Sequence, residues 1–220
     1  MKKAVCLLSG GLDSAVCLYE ARRQGFQVIA LTLQYGQRHD REILSARLLA
    51  KLKASKHYEV QFAMPWGGSS LTDKTVQIHD AKDVRHISKR IPNTYVPARN
   101  SIFLSLAASC AEAESAEAIF IGANAIDYSG YPDCRPVYMK AFETLIRKGT
   151  KVGAEGKKLT IIAPLLRLSK KQIVQKAIRL GIPIEKTWSC YRGKKVPCRR
   201  CDSCLLREQG FKEAKIKDPT

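Results

Sequence analysis

Short apolar runs alternate with longer amphipathic stretches from the start of the chain to about residue 185. Residues 5–8 read as a buried strand, and 14–23 as the helix behind it, stopping at Gly25. Residues 28–35 predict a second strand, rich in side chains that suit a pleated surface. In 40–54, Ile43, Ala46, Leu48, Leu49 and Leu52 fall along one stripe, which predicts a helix. Further on come a strand over 58–63, a helix over 100–114, and a strand over 118–121 closed by Gly122. After a polar loop the pattern predicts a helix over 137–147, a basic turn over 148–158 and a strand over 159–165. Ser169-Lys-Lys-Gln172 is a capping-box pattern opening a helix that ends near Gly181. Residues 65–97 hold Pro65, Gly67, Gly68, Pro92 and Pro97 with little period and read as mostly loop; 186–220 read as a cysteine-rich knuckle with a short basic tail.

Strands alternating with helices imply βαβ units, hence an α/β fold with a parallel sheet and helices on both faces. The expected division is an α/β domain over 1–185 and a small C-terminal knuckle over 186–220 packed on it. In such sheets ligands bind at the carboxyl ends of the strands. The loops after the first strand, after the second and after Ile121 are therefore expected to converge on one site. The chain lacks a run of apolar residues long enough to span a membrane. Its N-terminal apolar run is too short for a signal-peptide core and lacks a small-residue cleavage site, so it reads as the first strand of a cytoplasmic protein.

Charge and cysteine usage refine this picture. A net charge of +18 favours anionic partners such as nucleotides, phosphates or RNA, although lysines on helix faces also serve simply as a solvated surface. Eight cysteines in a cytoplasmic chain are not a disulfide framework. Cys6, Cys17 and Cys110 lie in apolar stretches and read as small core residues, while Cys134 falls in a polar loop.

The first strand leads into Leu8-Ser9-Gly10-Gly11-Leu12-Asp13-Ser14-Ala15. Glycines before a helix N-terminus let the backbone approach an anion, and the serine hydroxyls add donors. Asp13 is awkward beside phosphate unless it serves a Mg²⁺ bridging to it, or caps the helix. The Gly-Lys-Ser/Thr ending of a Walker A loop is missing, and the glycine spacing is not that of a dinucleotide fingerprint. SGGLDS resembles the pyrophosphate loop of the N-type ATP pyrophosphatases, Ser-Gly-Gly-x-Asp-Ser. That resemblance implies ATP cleaved between its α and β phosphates to activate an acid or amide oxygen. Arg38, Arg99 and Lys170 are candidate charge partners for the phosphates, with a plain surface role as the alternative for each.

Cys190, Cys198, Cys201 and Cys204 crowd into the C-terminal part of the chain, and four thiolates suit a closed, tetrahedral, structural Zn²⁺ site. The two tight steps also resemble iron–sulfur spacing, but no further Cys-Pro ending follows, which favours zinc. The 121–136 stretch, IGANAIDYSGYPDCRP, looks like a binding loop. Its carboxylates, Asp127 and Asp133, can accept from a guanine-like edge, Tyr131 can stack on a flat ring, and Asn124 and Arg135 flank them; a proline-rich turn is the plainer reading.

Taken in order, LLSGGLDS, LQYGQRH, VPARN with FLSLA, the 121–136 loop and TWSCYRGKKVPCRRCDSCLLR resemble the 7-cyano-7-deazaguanine synthases of queuosine biosynthesis nearly from end to end. The resemblance implies an adenine nucleotide alpha hydrolase-like fold and one structural zinc on the four cysteines. It also implies an ATP-dependent ligase that takes 7-carboxy-7-deazaguanine and ammonia through an activated acid, then an amide, to the nitrile. A homodimer, with no membrane and no stable nucleic-acid partner, is expected. With no glutaminase segment evident, ammonia is expected from solution or a separate partner. The rival enzyme reading is a tRNA-modifying relative with the same ATP loop, a thiolase or lysidine synthetase, which the charge supports and the want of an appended RNA-binding segment opposes. A zinc-knuckle nucleic-acid binder without catalysis is the rival from another class. His39 is either a base or a hydrogen-bonded structural histidine.

Overall fold

A computed structural model of the chain describes residues 1–81, 84–87, 91–124 and 131–220. Five strands, β1 (Lys3–Leu7), β2 (Gln27–Gln34), β3 (Lys56–Gln61), β4 (Ala118–Phe120) and β5 (Thr160–Ile162), form one parallel sheet in the order β3-β2-β1-β4-β5. The long helices are α1 (Leu12–Arg23), α2 (Arg41–Lys53), α3 (Arg99–Ala113), α4 (Pro136–Gly149), α5 (Lys170–Arg179) and α6 (Asp202–Ala214).

Side-chain alternation along the strands builds two cores, because successive residues of a strand face opposite sides of the sheet. Ala4 and Cys6 of β1, with Leu8 just after it, join Val28, Ala30 and Phe120 against α1, α5 and Phe211 of α6. Val5 and Leu7 join Ile29, Leu31 and Ile119 on the other face, against Leu104 and Ala107 of α3 and Phe142 and Ile146 of α4. The central strands are buried on both faces, which is why they read as continuous apolar runs.

Chain order reverses at β1, whose neighbours are β2 on one side and β4 on the other. This is the switch point at which doubly wound sheets open a crevice at the carboxyl ends of their strands. The capping box is formed as expected: Ser169 Oγ accepts from Gln172 N, and the Gln172 side chain accepts from Ser169 N.

The structure corrects four expectations. The basic tail is for the most part the 13-residue helix α6, which buries Cys204, Gly210 and Phe211. The basic turn at 148–158 contains a single helical turn, Lys151–Ala154, capped by Thr150. The strand over 159–165 pairs only as Thr160–Ile162, with an isolated bridge between Leu165 and Asn124. Cys110 is only half-buried, whereas Cys134, placed in a polar loop, is buried. No helix among the described residues is long and apolar enough to cross a membrane.

Candidate functional site

A cavity of about 280 Å³ opens at the switch point. Leu8, Ser9, Gly11, Leu12, Asp13 and Ser14 form its floor. Gly10 and Ala15 are buried behind it, Gly10 at a φ of +90° against the first turns of α2. The loop is held by its own serines. Ser14 Oγ donates to Gly11 O (2.9 Å) and accepts from Ser9 N and Ser9 Oγ, while Ser9 Oγ accepts from Gly11 N. From outside, Trp188 N donates to Gly10 O at 2.9 Å.

Asp13 lies in the first turn of α1, while the N-cap position itself is Gly11. Asp13 Oδ2 accepts from Lys170 Nζ (2.6 Å) and Asn124 Nδ2 (2.8 Å), and Oδ1 accepts from no described residue. Lys170 is the first residue of α5 and is positioned by α6, because Gly210 brings that helix against the Lys170 Cβ and carbonyl.

Arg38 and Arg99 both line the cavity. The Arg38 guanidinium donates to the carbonyls of Ser70, Asp73 (2.7 Å) and Val76, so it also straps the 70–76 segment to the site. Arg99 opens α3 behind Ala98, a left-handed residue at φ +53°, and its guanidinium carbon sits 5.7 Å from the Phe103 ring centroid. Its Nε is buried with no partner among the described residues, while Tyr35 hydrogen-bonds the guanidinium. Tyr35 and Phe103 meet edge to face at 5.3 Å. With Tyr131, whose hydroxyl is 3.0 Å from Thr94 Oγ1, they make an aromatic wall facing the glycine loop.

The remaining members of the 121–136 loop separate. Asp127 lies outside the described residues. Asn124 is fully buried and serves Asp13. Asp133 accepts from Asn100 N (3.1 Å) and so satisfies an orphan donor at the start of α3. Arg135 is exposed at the N-cap of α4. None of these three is among the cavity-lining residues, but Cys134 is, accepting from Asn100 Nδ2 at 3.1 Å.

Sequence patterning passed over Tyr35, Glu42, Phe103, Trp188, Tyr191 and Arg207, which also line the cavity. Tyr35 and Phe103 were indistinguishable from core aromatics, and Glu42 from an ordinary first-turn acid of α2. Burial pushes the Glu42 carboxyl up to about 7, with Arg99 opposing. Burial pulls the His39 imidazole down, against the pull of the neighbouring Cys190.

The Sγ atoms of Cys190, Cys198, Cys201 and Cys204 lie within 4.8 Å of one another, and those of Cys198 and Cys204 are 3.9 Å apart. Tetrahedral zinc with thiolate bonds of about 2.3 Å requires sulfur separations of about 3.8 Å. Cys190 Sγ accepts from the N–H groups of Arg192 (3.4 Å) and Cys198 (3.3 Å), and Cys198 Sγ from Cys201 N (3.3 Å). Such bonds stabilise thiolates in the outer shell of a metal site. Within the cluster, bonds from Cys201 and Cys204 hold Cys190 down, and the bond to Cys190 drives Cys201 up to about 12. Four sulfurs this close ionise together only around a cation, so the donor set fits a metal.

A model of the family described as queuosine biosynthesis protein QueC matches residues 3–215 of the chain. The 7-cyano-7-deazaguanine synthase of Nostoc punctiforme is 50% identical over 219 residues, covering 99% of this chain and 98% of that protein. The enzyme of the same name from an Anaeromyxobacter species is 50% identical over 224 residues, covering 100% and 95%. Among solved structures, the NMN synthetase from Francisella tularensis superposes with a TM-score of 0.54 at 17% identity, over 98% of this chain and 78% of that one, a likeness of fold.

Proposed function

The chain belongs to the family of queuosine biosynthesis protein QueC, and on that premise we propose that it is an ATP-dependent ligase making 7-cyano-7-deazaguanine from 7-carboxy-7-deazaguanine and ammonia. A carboxylate resists nucleophiles because oxide is a poor leaving group. Transfer of AMP from ATP makes that oxygen a good one, ammonia then gives the amide, and a second activation on the amide oxygen leads to the nitrile.

The observation that carries this reading is the juxtaposition in one cavity of the Ser-Gly-Gly-x-Asp-Ser floor and the wall of Tyr35, Phe103, Tyr131 and Arg99. The floor receives phosphates on backbone N–H groups at the start of α1, where the helix field favours anions. Lys170 and Arg38 add positive charge. Asp13 Oδ1, which accepts from no donor among the described residues, suits a Mg²⁺ that would screen the phosphates. The aromatic wall would stack a flat deazapurine, and Arg99 at its edge would orient the carboxylate. Zn²⁺ on Cys190, Cys198, Cys201 and Cys204 would fill its coordination sphere with protein sulfur and act structurally. We take the enzyme to be a cytoplasmic homodimer, using ammonia from solution or a separate partner and holding no nucleic acid or membrane.

The test is an incubation of the purified protein with ATP, Mg²⁺, ammonium and 7-carboxy-7-deazaguanine, read by mass spectrometry. A product with the mass of the nitrile, preceded by that of the amide, is expected. No product there, with modified tRNA in a parallel reaction, overturns the reading.

A further inference from the structure

In the proposed reaction nitrogen enters as ammonium, with four N–H bonds, and leaves in a nitrile, with none. In amide formation the new C–N bond replaces the bond from acyl carbon to the AMP oxygen, whose electron pair departs with AMP, and nitrogen gives up two protons. In dehydration the amide oxygen attacks the α-phosphorus and pyrophosphate leaves. The C–O bond then breaks towards AMP, and nitrogen gives up its last two protons. Both steps need a proton acceptor beside the reacting carbon, and the phosphate loop offers none that is unengaged.

Three described side chains lining the cavity have the chemistry of a base at neutral pH: Asp13, His39 and Glu42. Asp13 is charge-paired with Lys170 and bonded to Asn124. His39 is lodged under the cysteine cluster, its ring against Gly193. Glu42 differs from both. It stands in the first turn of α2, whose backbone abuts Gly10 of the glycine loop, and its carboxylate interacts electrostatically with Arg99 and Tyr35, which line the same cavity. Among the described residues no donor is bonded to its carboxylate, although it lines the cavity that the glycine loop and the aromatic residues also line.

Resting on the reading above, we propose that the Glu42 carboxylate is the proton acceptor that takes the N–H protons of ammonium, and then of the amide, during nitrile formation. Its ionised form would hold ammonium against the positive charge of Arg99 on the far side. Burial raises its pKa to about 7, close to working pH, where a carboxylate exchanges protons most effectively.

The experiment compares the parent with Glu42→Gln, Glu42→Asp and His39→Asn. Amide and nitrile formation are followed by mass spectrometry, and acid-dependent exchange of pyrophosphate into ATP is followed separately. Glu42→Gln is expected to lose about 100-fold or more in nitrile formation, from the acid and from supplied amide alike, while exchange continues. In the parent, kcat/KM for ammonium should rise with pH through about 7, and that limb should vanish in Glu42→Gln. Glu42→Asp, which keeps the carboxylate on a shorter arm, should retain a limb at reduced rate and guards against a folding artefact. Nitrile formation in Glu42→Gln within threefold of the parent overturns the proposal. So does a parallel loss of exchange, or disappearance of the limb in His39→Asn alone. A parent that makes no nitrile rejects the proposed reaction instead.

Discussion

Gly10 and Gly11 are adjacent in the glycine loop, and anion-binding arguments treat them alike, yet their surroundings differ. Gly10 has a φ of +90°, and a Cβ there would run into the Glu42 carbonyl oxygen and stand 2.8 Å from Ala46 N. Those atoms belong to the backbone of α2, so relief requires shifting a helix rather than a rotamer. Gly11 has a φ of −77°, and its Cβ would meet Ser9 Oγ and Trp188 O at 3.5 Å, ordinary contact. For Gly10→Ala, a left-handed conformation forced on alanine costs about 1 kcal/mol and overpacking against a fixed backbone about 3 kcal/mol. The sum, about 4 kcal/mol, lowers the melting temperature of a chain this size by about 8–16 °C. Gly11→Ala should melt within about 3 °C of the parent. Its methyl group would stand 3.5 Å from Ser9 Oγ, however, a hydroxyl proposed to donate to phosphate, so binding of a non-hydrolysable ATP analogue should weaken at least tenfold by calorimetry. If Gly10→Ala melts within 3 °C of the parent, or Gly11→Ala falls as far as Gly10→Ala, the steric reasoning fails.

Lys170→Ala removes the charged partner of Asp13 and should weaken ATP about 10- to 100-fold, as a lost charge-assisted bond of about 1.5–3 kcal/mol implies, with Lys170→Arg partly restoring it; unchanged ATP affinity refutes the role. The four-cysteine site should release about one zinc per chain to a strong chelator on denaturation, and Cys198→Ser should lower both metal content and melting temperature; a metal-free protein with full thermal stability contradicts this. Glu20, almost fully buried, has its carboxyl lowered from 4.5 to about 2 by Arg23 first, then Gln24 and Lys176. Its ionised form therefore stabilises the fold above pH 4.5, and that contribution is lost as pH falls towards 2. Denaturant melts of Glu20→Gln should show a loss of about 2–3 kcal/mol at pH 7 that shrinks steadily below pH 4.5, and a pH-independent difference disproves the linkage.

The sheet and α1 to α5 were legible because each element carries its own periodicity and its own stop signals, the capping box at Ser169 and Gly25 after α1 among them. Helix α6 was hidden. Its sequence, DSCLLREQGFKEA, has no clean apolar stripe and a glycine inside it, and it is ordered by what it docks on: Phe211 in the core and Gly210 against Lys170. The 65–81 segment gave no local signal either. Its carbonyls at Ser70, Asp73 and Val76 are held by Arg38, and that at Ile78 by Arg192, partners far away in the chain. The glycine loop and the four cysteines could be picked out as candidate sites because their chemistry is contiguous in sequence. Glu42 and Tyr35 were not, since what distinguishes them is the cavity they face and not the residues beside them.

The cysteine cluster lies off the glycine loop, yet three connections run from its segment into the candidate site. Trp188, two residues before Cys190, donates to Gly10 O. Arg207, in the helix that begins after Cys201, donates to Thr187 Oγ1 (2.8 Å) and is clamped by Asp218 (2.7 and 2.9 Å), fixing the stretch that carries Trp188. The same helix sets Lys170 through Gly210, and Arg192 anchors the strap that Arg38 also holds, through Asp80 and Ile78. The small apolar core around the cluster, Trp188 with the cysteines, is too slight to order these contacts by burial alone. A metal ion closed in by the four sulfurs would supply the missing rigidity at little cost in chain length. With a metal bound, the four sulfurs would act as the brace that keeps Gly10, Lys170 and the strap in register.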